Sequence, residues 1–260
     1  MTLPSALVLR RLYAGFVELC LLLGMYAAYS VSRLAADGSP GPAARRAQEL
    51  LVLERPFGLD VEHLLNDWFV AVPSVGMAGS YFYASAHYLV TAAVLVWLWR
   101  RGPAVYVPAR RALVAATLAA LLLYLLLPTA PPRFVEGYTD VLQLYSASGW
   151  WGSDASAPRG LGGYTNELAA LPSMHAGWAL WVTWVVRREV RRPWVRALAW
   201  THAVVTTIVI IGTGNHWVLD AVAGWIVIGT AFAVVGRPDP VSAEVSAVAA
   251  QVGGTEPMAA

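Results

Sequence analysis

Two short polar segments stand out in a chain that is otherwise mostly apolar. Residues 171–178 read LPSMHAGW and residues 212–220 read GTGNHWVLD. In the second, His216 and Asp220 are spaced i, i+4 and share one face if the segment is helical. An aspartate inside an apolar helix is costly unless paired. The imidazole one turn away is its obvious partner, in the arrangement of a nucleophilic or basic histidine oriented by a carboxylate. Thr213 or Asn215 is placed to cap this helix. In the first segment, Pro172 suits the first turn of a helix, where its missing N–H costs nothing. Ser173 and His175 then fall in that turn, where free N–H groups and the positive end of the helix dipole form a site for an anion. A third segment, LPTAPPRF at 127–134, offers Arg133, whose planar guanidinium matches phosphate geometry.

The elements that must position these groups are membrane spans. The 260 residues are 58% hydrophobic and only 13% charged, with mean hydropathy +0.55. A soluble domain carries roughly twice that charge. A span needs about 20 mostly apolar residues, and six segments qualify: Leu12–Val31, Val75–Trp99, Ala112–Leu127, Pro172–Val186, Val195–Gly212 and Trp217–Val235. The first is too long for a signal-peptide core and lacks a clear cleavage site, so it reads as an anchor. The expected architecture is all-α: a bundle of six transmembrane helices over residues 1–235, followed by a disordered cytoplasmic tail, 236–260. Within the first long loop, residues 50–70 read LLVLERPFGLDVEHLLNDWFV, the pattern of one amphipathic helix lying in the interface.

All 18 basic residues are arginine. Arg10, Arg11, Arg100, Arg101, Arg110, Arg111, Arg187, Arg188, Arg191, Arg192, Arg196 and Arg237 fall on the side that holds both termini and the short loops, which makes that side cytoplasmic. The expected location is the plasma membrane, with the site on the extracytoplasmic face. There Arg133, His175, His216 and Asp220 can meet at one depth. His87 lies mid-span with Tyr83 one turn earlier, and both are candidates for substrate contact. Trp150 and Trp151 could line a head-group or acyl entrance. His63 and His202 read as structural. A net charge of +2 suggests no nucleic-acid partner. The lone cysteine, Cys20, forms neither a disulfide framework nor a zinc cluster, and one carboxylate at the site is too few for a hard-metal cage, so neither metal nor cofactor is expected.

PSMHAG followed some forty residues later by GNHWVLD resembles the type 2 phosphatidic acid phosphatase superfamily. The APPR segment and the LERPFGLDVEHLLNDW stretch are similar to its inositol phosphorylceramide synthase-like branch. The resemblance implies that His216 attacks phosphorus to give a phosphohistidine and that Asp220 orients it. It implies that His175 protonates the leaving group and then deprotonates the acceptor. Ser173 and neighbouring N–H groups correspond to the phosphate cradle, with Arg133, Asn215, His87 and Tyr83 as further substrate-binding candidates. The chain departs from the lipid phosphatases in two places. Val209 and Ile210 stand where a Ser-Arg pair precedes the nucleophile, and no lysine precedes Arg133. Fewer cations suit a phosphodiester better than a monoester. The leading expectation is therefore a transferase that moves a phosphorylated head group, such as phosphoinositol, between lipids. The alternatives are a lipid phosphate phosphatase (for phosphatidic acid, phosphatidylglycerol phosphate or polyprenyl phosphate) and a non-enzymatic proton-coupled carrier. A carrier predicts polar residues spread through the bundle and an inverted repeat, and neither is visible.

Overall fold

A computed structural model of the chain describes residues 6–35, 40–59, 61–151 and 166–235. The expected tail, and most of the Gly/Ser-rich stretch after Trp151, lie outside the described residues. Those described residues form helices α1 (Ala6–Ala35), α2 (Pro40–Glu54), α3 (Glu62–Ala71), α4 (Pro73–Arg101), α5 (Pro103–Leu126), α6 (Val141–Leu144), α7 (Met174–Glu189), α8 (Pro193–Gly212) and α9 (Val218–Val235).

Five of these are long and apolar enough to cross a membrane: α1, α4, α5, α8 and α9. The sixth expected span, α7, has only 16 residues. At 1.5 Å per residue it is about 24 Å long, short of the roughly 30 Å hydrocarbon core. With Arg187 and Arg188 in its last turn at one boundary, its other end stops inside the bundle. α7 packs against α8, α9, α4 and α5, and Ala176, Ala179, Trp181, Val182 and Val185 on it are buried. The third span starts earlier than expected, at Pro103, because Gly102 (φ 110°) alone turns the chain between α4 and α5. Arg110 therefore lies inside α5, paired with Glu18 of α1.

Close approach of helices in lipid depends on small residues. Ala109, Ala112, Ala116 and Ala120 form a buried stripe on α5, the helix that packs along α9. α7 and α9 meet where Gly177 faces Gly224. A Cβ on Gly224 would lie 2.1 Å from the Ser173 carbonyl oxygen.

The expected single interfacial helix is two helices, α2 and α3. Pro56 and Gly58 (φ 62°) break it. Its faces are mixed rather than divided cleanly into polar and apolar. Val52, Leu53, Phe57, Leu64 and Trp68 are exposed, whereas Glu54, Glu62, Asn66 and Phe69 are buried. Gln48, Glu49, Arg55, His63 and Asp67 are exposed as well, and Ala43, Ala47 and Leu50 are buried, so Glu54, Glu62 and Asn66 are individual buried polar groups that need internal partners. The Phe69 ring fills a slot between Gly79 of α4 and Gly212 of α8, where a Cβ would fall 2.5 Å from it, and a Cβ on Gly76 would meet the Phe69 carbonyl at 2.4 Å. The Asn66 amide donates to the carbonyls of Thr139 (2.9 Å) and Gly212 (3.0 Å) and accepts from the Thr139 N–H (2.8 Å). α3 is thereby fixed over the end of α8.

Candidate active site

The chain segment between α8 and α9 carries His216. Thr213 ends α8, and its hydroxyl donates back to the Val209 carbonyl (2.7 Å). Gly214 takes φ 75°, and a Cβ there would sit 2.8 Å from the Thr139 carbonyl, so glycine is required on both counts. The N–H groups of Asn215 and His216 both donate to the Ile210 carbonyl (3.2 and 3.1 Å). Trp217 is fully buried, and its indole N–H donates to the Ala130 carbonyl (2.9 Å). The backbone on either side of His216 is thus fixed.

His216 precedes α9 rather than belonging to it, so His216 and Asp220 do not share a helical face. Asp220 Oδ2 accepts from the Trp217 N–H (2.8 Å) and lies 3.4 Å from His216 Nδ1. Nδ1 is closer to the Ala170 carbonyl, at 3.0 Å. A carbonyl only accepts, so Nδ1 must carry the hydrogen and Nε2 keeps its lone pair. Burial, with Arg133 nearby, lowers the His216 pKa to about 3, and the Ala170 hydrogen bond only partly opposes this. The imidazole is neutral, with one nitrogen available as a nucleophile. Neither Thr213 nor Asn215 caps α9. Asn215 bonds to Thr213 and accepts from Arg133 instead.

Ser173 also differs from expectation. It is the N-cap of α7, one residue outside the helix, and its hydroxyl accepts from the Ala176 N–H (3.4 Å). Pro172, preceded by a cis peptide bond, lies before the cap rather than in the first turn. The Ser173 N–H donates to the Asp220 carbonyl (2.8 Å), which joins the start of α7 to the start of α9. His175, two residues on, has its ring centroid 5.5 Å from that of His216. Its other neighbours come from α4. Tyr83 stacks on it at 4.4 Å, and His87 meets it edge to face at 4.0 Å. Tyr83 and His87 lie ten and fourteen residues into α4, about 15–21 Å along its axis. The sunken end of α7 brings His175 down to them. His87 Nδ1 lies 3.1 Å from the Tyr83 carbonyl.

Arg133 stands beside His216, its N–H donating to the Gly214 carbonyl (2.8 Å) and its side chain to Asn215 Oδ1. The guanidinium also faces Asp140 (3.4 Å) and Glu167 (3.8 Å). The structure therefore brings together His216, Asp220, His175, Ser173, Asn215, Arg133, Tyr83 and His87. Trp151 is buried, edge-on to Tyr81, with its indole N–H donating to the Leu142 carbonyl, so it is packing; Trp150 is half exposed. His63 stacks on Tyr138 and His202 lies against Phe82. Among the described residues, no group of three His, Cys, Asp or Glu is arranged to hold a metal ion.

Sequence reasoning missed Glu54 and Glu62. Both are fully buried. Glu62 Oε1 accepts from the Val218 N–H (2.9 Å) and Glu54 Oε1 from the Leu219 N–H (2.7 Å). Their only sequence signal is an acid at helical spacing with apolar neighbours, which equally describes a solvated face.

An all-helical membrane protein with a polar centre made of two histidines and a buried carboxylate is the class that fold and site define. The PAP2 superfamily is matched over residues 48–234, and the chain belongs to that superfamily. It is an enzyme of the lipid phosphatase and phosphotransferase type. No curated protein and no solved structure matches it.

Proposed function

We propose that the protein transfers a phosphorylated head group from a phospholipid to a hydroxyl acceptor through a phosphohistidine on Nε2 of His216. The observation that carries this reading is the Nδ1 hydrogen bond to Ala170, with Asp220 behind it, which leaves Nε2 as the nucleophile. In the first step Nε2 bonds to phosphorus and the bond to the lipid alkoxide breaks. Burial lowers His175 to about 3 as well, so it takes up its proton beside the bound phosphate anion and gives it to that oxygen. The phosphohistidine ring is cationic, and Asp220 and the Ala170 carbonyl stabilise its Nδ1–H. In the second step the acceptor hydroxyl gives its proton to His175 and attacks phosphorus. The N–P bond breaks and neutral His216 returns. Ser173, Asn215, Tyr83 and His87 bound the substrate pocket in this reading.

The charge at the site supports a diester substrate. Among the described residues, Arg133 is the arginine that approaches His216, and Asp140 and Glu167 already face it. Such a cation suits one negative charge better than nearly two. In the proposed orientation the site opens on the extracytoplasmic face of the plasma membrane, with both termini inside. The test is to supply protein in nanodiscs with head-group-labelled phosphatidylinositol and, separately, with labelled phosphatidic acid. Label on His216 from phosphatidylinositol supports the transferase. Phosphate release from phosphatidic acid alone makes the protein a phosphatase with water as acceptor, and no phosphohistidine from either refutes the mechanism.

A further inference from the structure

Three consecutive N–H groups open α9, those of Trp217, Val218 and Leu219, and each is accepted by a carboxylate. Asp220 takes the first, Glu62 of α3 the second and Glu54 of α2 the third. A helix N-terminus favours negative charge, but by only about half an elementary charge. Three buried carboxylates exceed that. The second oxygens of Glu54, Glu62 and Asp220 are buried and meet no donor. Two facing carboxyls with no donor between them lack one thing, a proton on one of them, which turns an acceptor pair into a hydrogen bond. Apart from these acids the contact between α2 and α9 is apolar, made by Ala43, Ala47, Leu50 and Leu219, with Trp217 and Ala130.

Building on the nucleophilic role of His216, we propose that Glu54 and Glu62 are positioning residues. As a pair sharing one proton, they hold the start of α9, and with it His216 and Asp220, in register with α7.

The electrostatics agree. Burial raises Glu54 from its ordinary 4.5 to about 8; the Leu219 N–H opposes the rise, and the Glu62 and Asp220 carboxylates add to it. The groups that face Glu54 are Glu62 from α3 and Asp220 from α9. His216, itself neutral, lies just beyond Asp220, with Arg133 beside it. Between 4.5 and about 8 the folded protein binds a proton that the unfolded chain has lost. The linked stability therefore falls as pH rises through that window. Above about 8 the proton leaves, two buried carboxylates repel each other, and the clamp loosens.

Two kinds of readout separate this clamp from the chemistry it serves. Hydrogen exchange of the peptide spanning 217–220, corrected for intrinsic rate, reports the clamp without any substrate. Glu54→Ala should lower protection about 10- to 100-fold, the consequence of leaving a buried helix N–H without its acceptor. Glu54→Gln keeps the oxygen that accepts from Leu219 and donates to Glu62, so it should restore protection. Wild-type protection should fall between pH 7 and 9, while that of Glu54→Gln stays level. Phosphoenzyme formation should follow the same pattern: Glu54→Ala loses at least tenfold in kcat with KM nearly constant, and Glu54→Gln regains most of it and shifts the alkaline limb upward. Wild-type protection in Glu54→Ala, or a Glu54→Gln variant as impaired as Glu54→Ala, overturns the proposal. The expected protection pattern in a protein that forms no phosphoenzyme refutes the phosphohistidine reading and leaves the clamp standing.

Discussion

Replacing Gly224 with alanine tests whether the crossing of α7 and α9 sets the distance between the histidines. The added Cβ would lie 2.1 Å from the Ser173 carbonyl oxygen and 3.3 Å from the Gly177 nitrogen. Carbon and oxygen approach to about 3.3 Å, so the helices must part by about 1 Å. The atoms in the way are backbone, so no rotamer change can absorb this. The Ser173 N–H to Asp220 carbonyl bond, now 2.8 Å, would stretch to roughly 3.8 Å and be lost. His175 follows Ser173 by two residues, and Asp220 precedes Gly224 by one turn. The displacement therefore enters the reacting geometry directly. A misplacement of 1 Å costs about 10²-fold in rate, and overpacking costs about 1–3 kcal/mol in stability. Two other glycines grade the effect. A Cβ on Gly177 would lie 3.1 Å from the Gly224 carbonyl, a matter of tenths of an ångström, and one on Gly229 would rest 3.9 Å from Trp184 in ordinary contact. Rapid-quench phosphoenzyme formation should fall steeply in Gly224→Ala, by about 3- to 10-fold in Gly177→Ala, and hardly at all in Gly229→Ala, with melting measured in parallel. A flat series, or a Gly224→Ala variant that melts early yet reacts at the wild-type rate, would refute the reasoning.

Under the proposed mechanism the histidines divide the work. His216→Ala should abolish the phosphoenzyme, while His175→Ala should slow the first step for a natural alkoxide and largely spare a p-nitrophenolate leaving group, which needs no acid. Reversed behaviour would exchange the roles. Asp220→Asn should fold, as judged by melting, keep the tautomer that Ala170 fixes, and lose about 10- to 100-fold in kcat, the worth of a hydrogen bond from a carboxylate to the cationic phosphohistidine ring; near-normal turnover would make the carboxylate structural. Because burial lowers His216 to about 3, protonation removes its lone pair only below that value. Phosphoenzyme formation with a p-nitrophenyl substrate should persist from pH 7 to 5, where an unshifted histidine would lose roughly 25-fold. In a Cys20→Ser background, Glu136→Cys should react with an impermeant thiol reagent in intact cells and Arg191→Cys should not; the opposite labelling reverses the orientation.

His216, Asp220, His175 and Arg133 were legible because a polar group in an apolar run is expensive unless it has a partner or a purpose. Span ends gave their approximate depth, and topology gave their common side. Other parts of the site carry no such mark. The acceptor that fixes the His216 tautomer is the backbone carbonyl of Ala170, which any residue would supply. Gly224 looks like one small residue among several in α9 until α7 is laid across it. Glu54 and Glu62 follow the periodicity of an amphipathic helix, and periodicity cannot say which of its polar residues are buried. The neighbouring Glu49, Arg55, His63 and Asp67 are exposed while Glu54 and Glu62 are buried, and the partners of these two are N–H groups of α9, more than 150 residues away in sequence.

The burial of these acids bears on where a phosphate can sit. Two helix N-termini, those of α7 and α9, converge on the histidines, and by dipole alone either would attract an anion. Their occupancy differs. The first N–H groups at α9 are taken by the protein's own carboxylates, and a phosphate there would meet Asp220, Glu62 and Glu54. At α7 the cap is a neutral hydroxyl, Ser173, with His175 in the first turn and no acid among its residues there. Under the proposed mechanism the phosphate therefore seats toward α7, and the nucleophile reaches it from the α9 side. The same asymmetry separates the histidines chemically. The one preceding the carboxylate-filled terminus has its Nδ1–H held by Asp220 and Ala170 and keeps a lone pair for attack. The one at the open terminus lies beside the incoming anion, whose charge favours the proton that His175 must deliver.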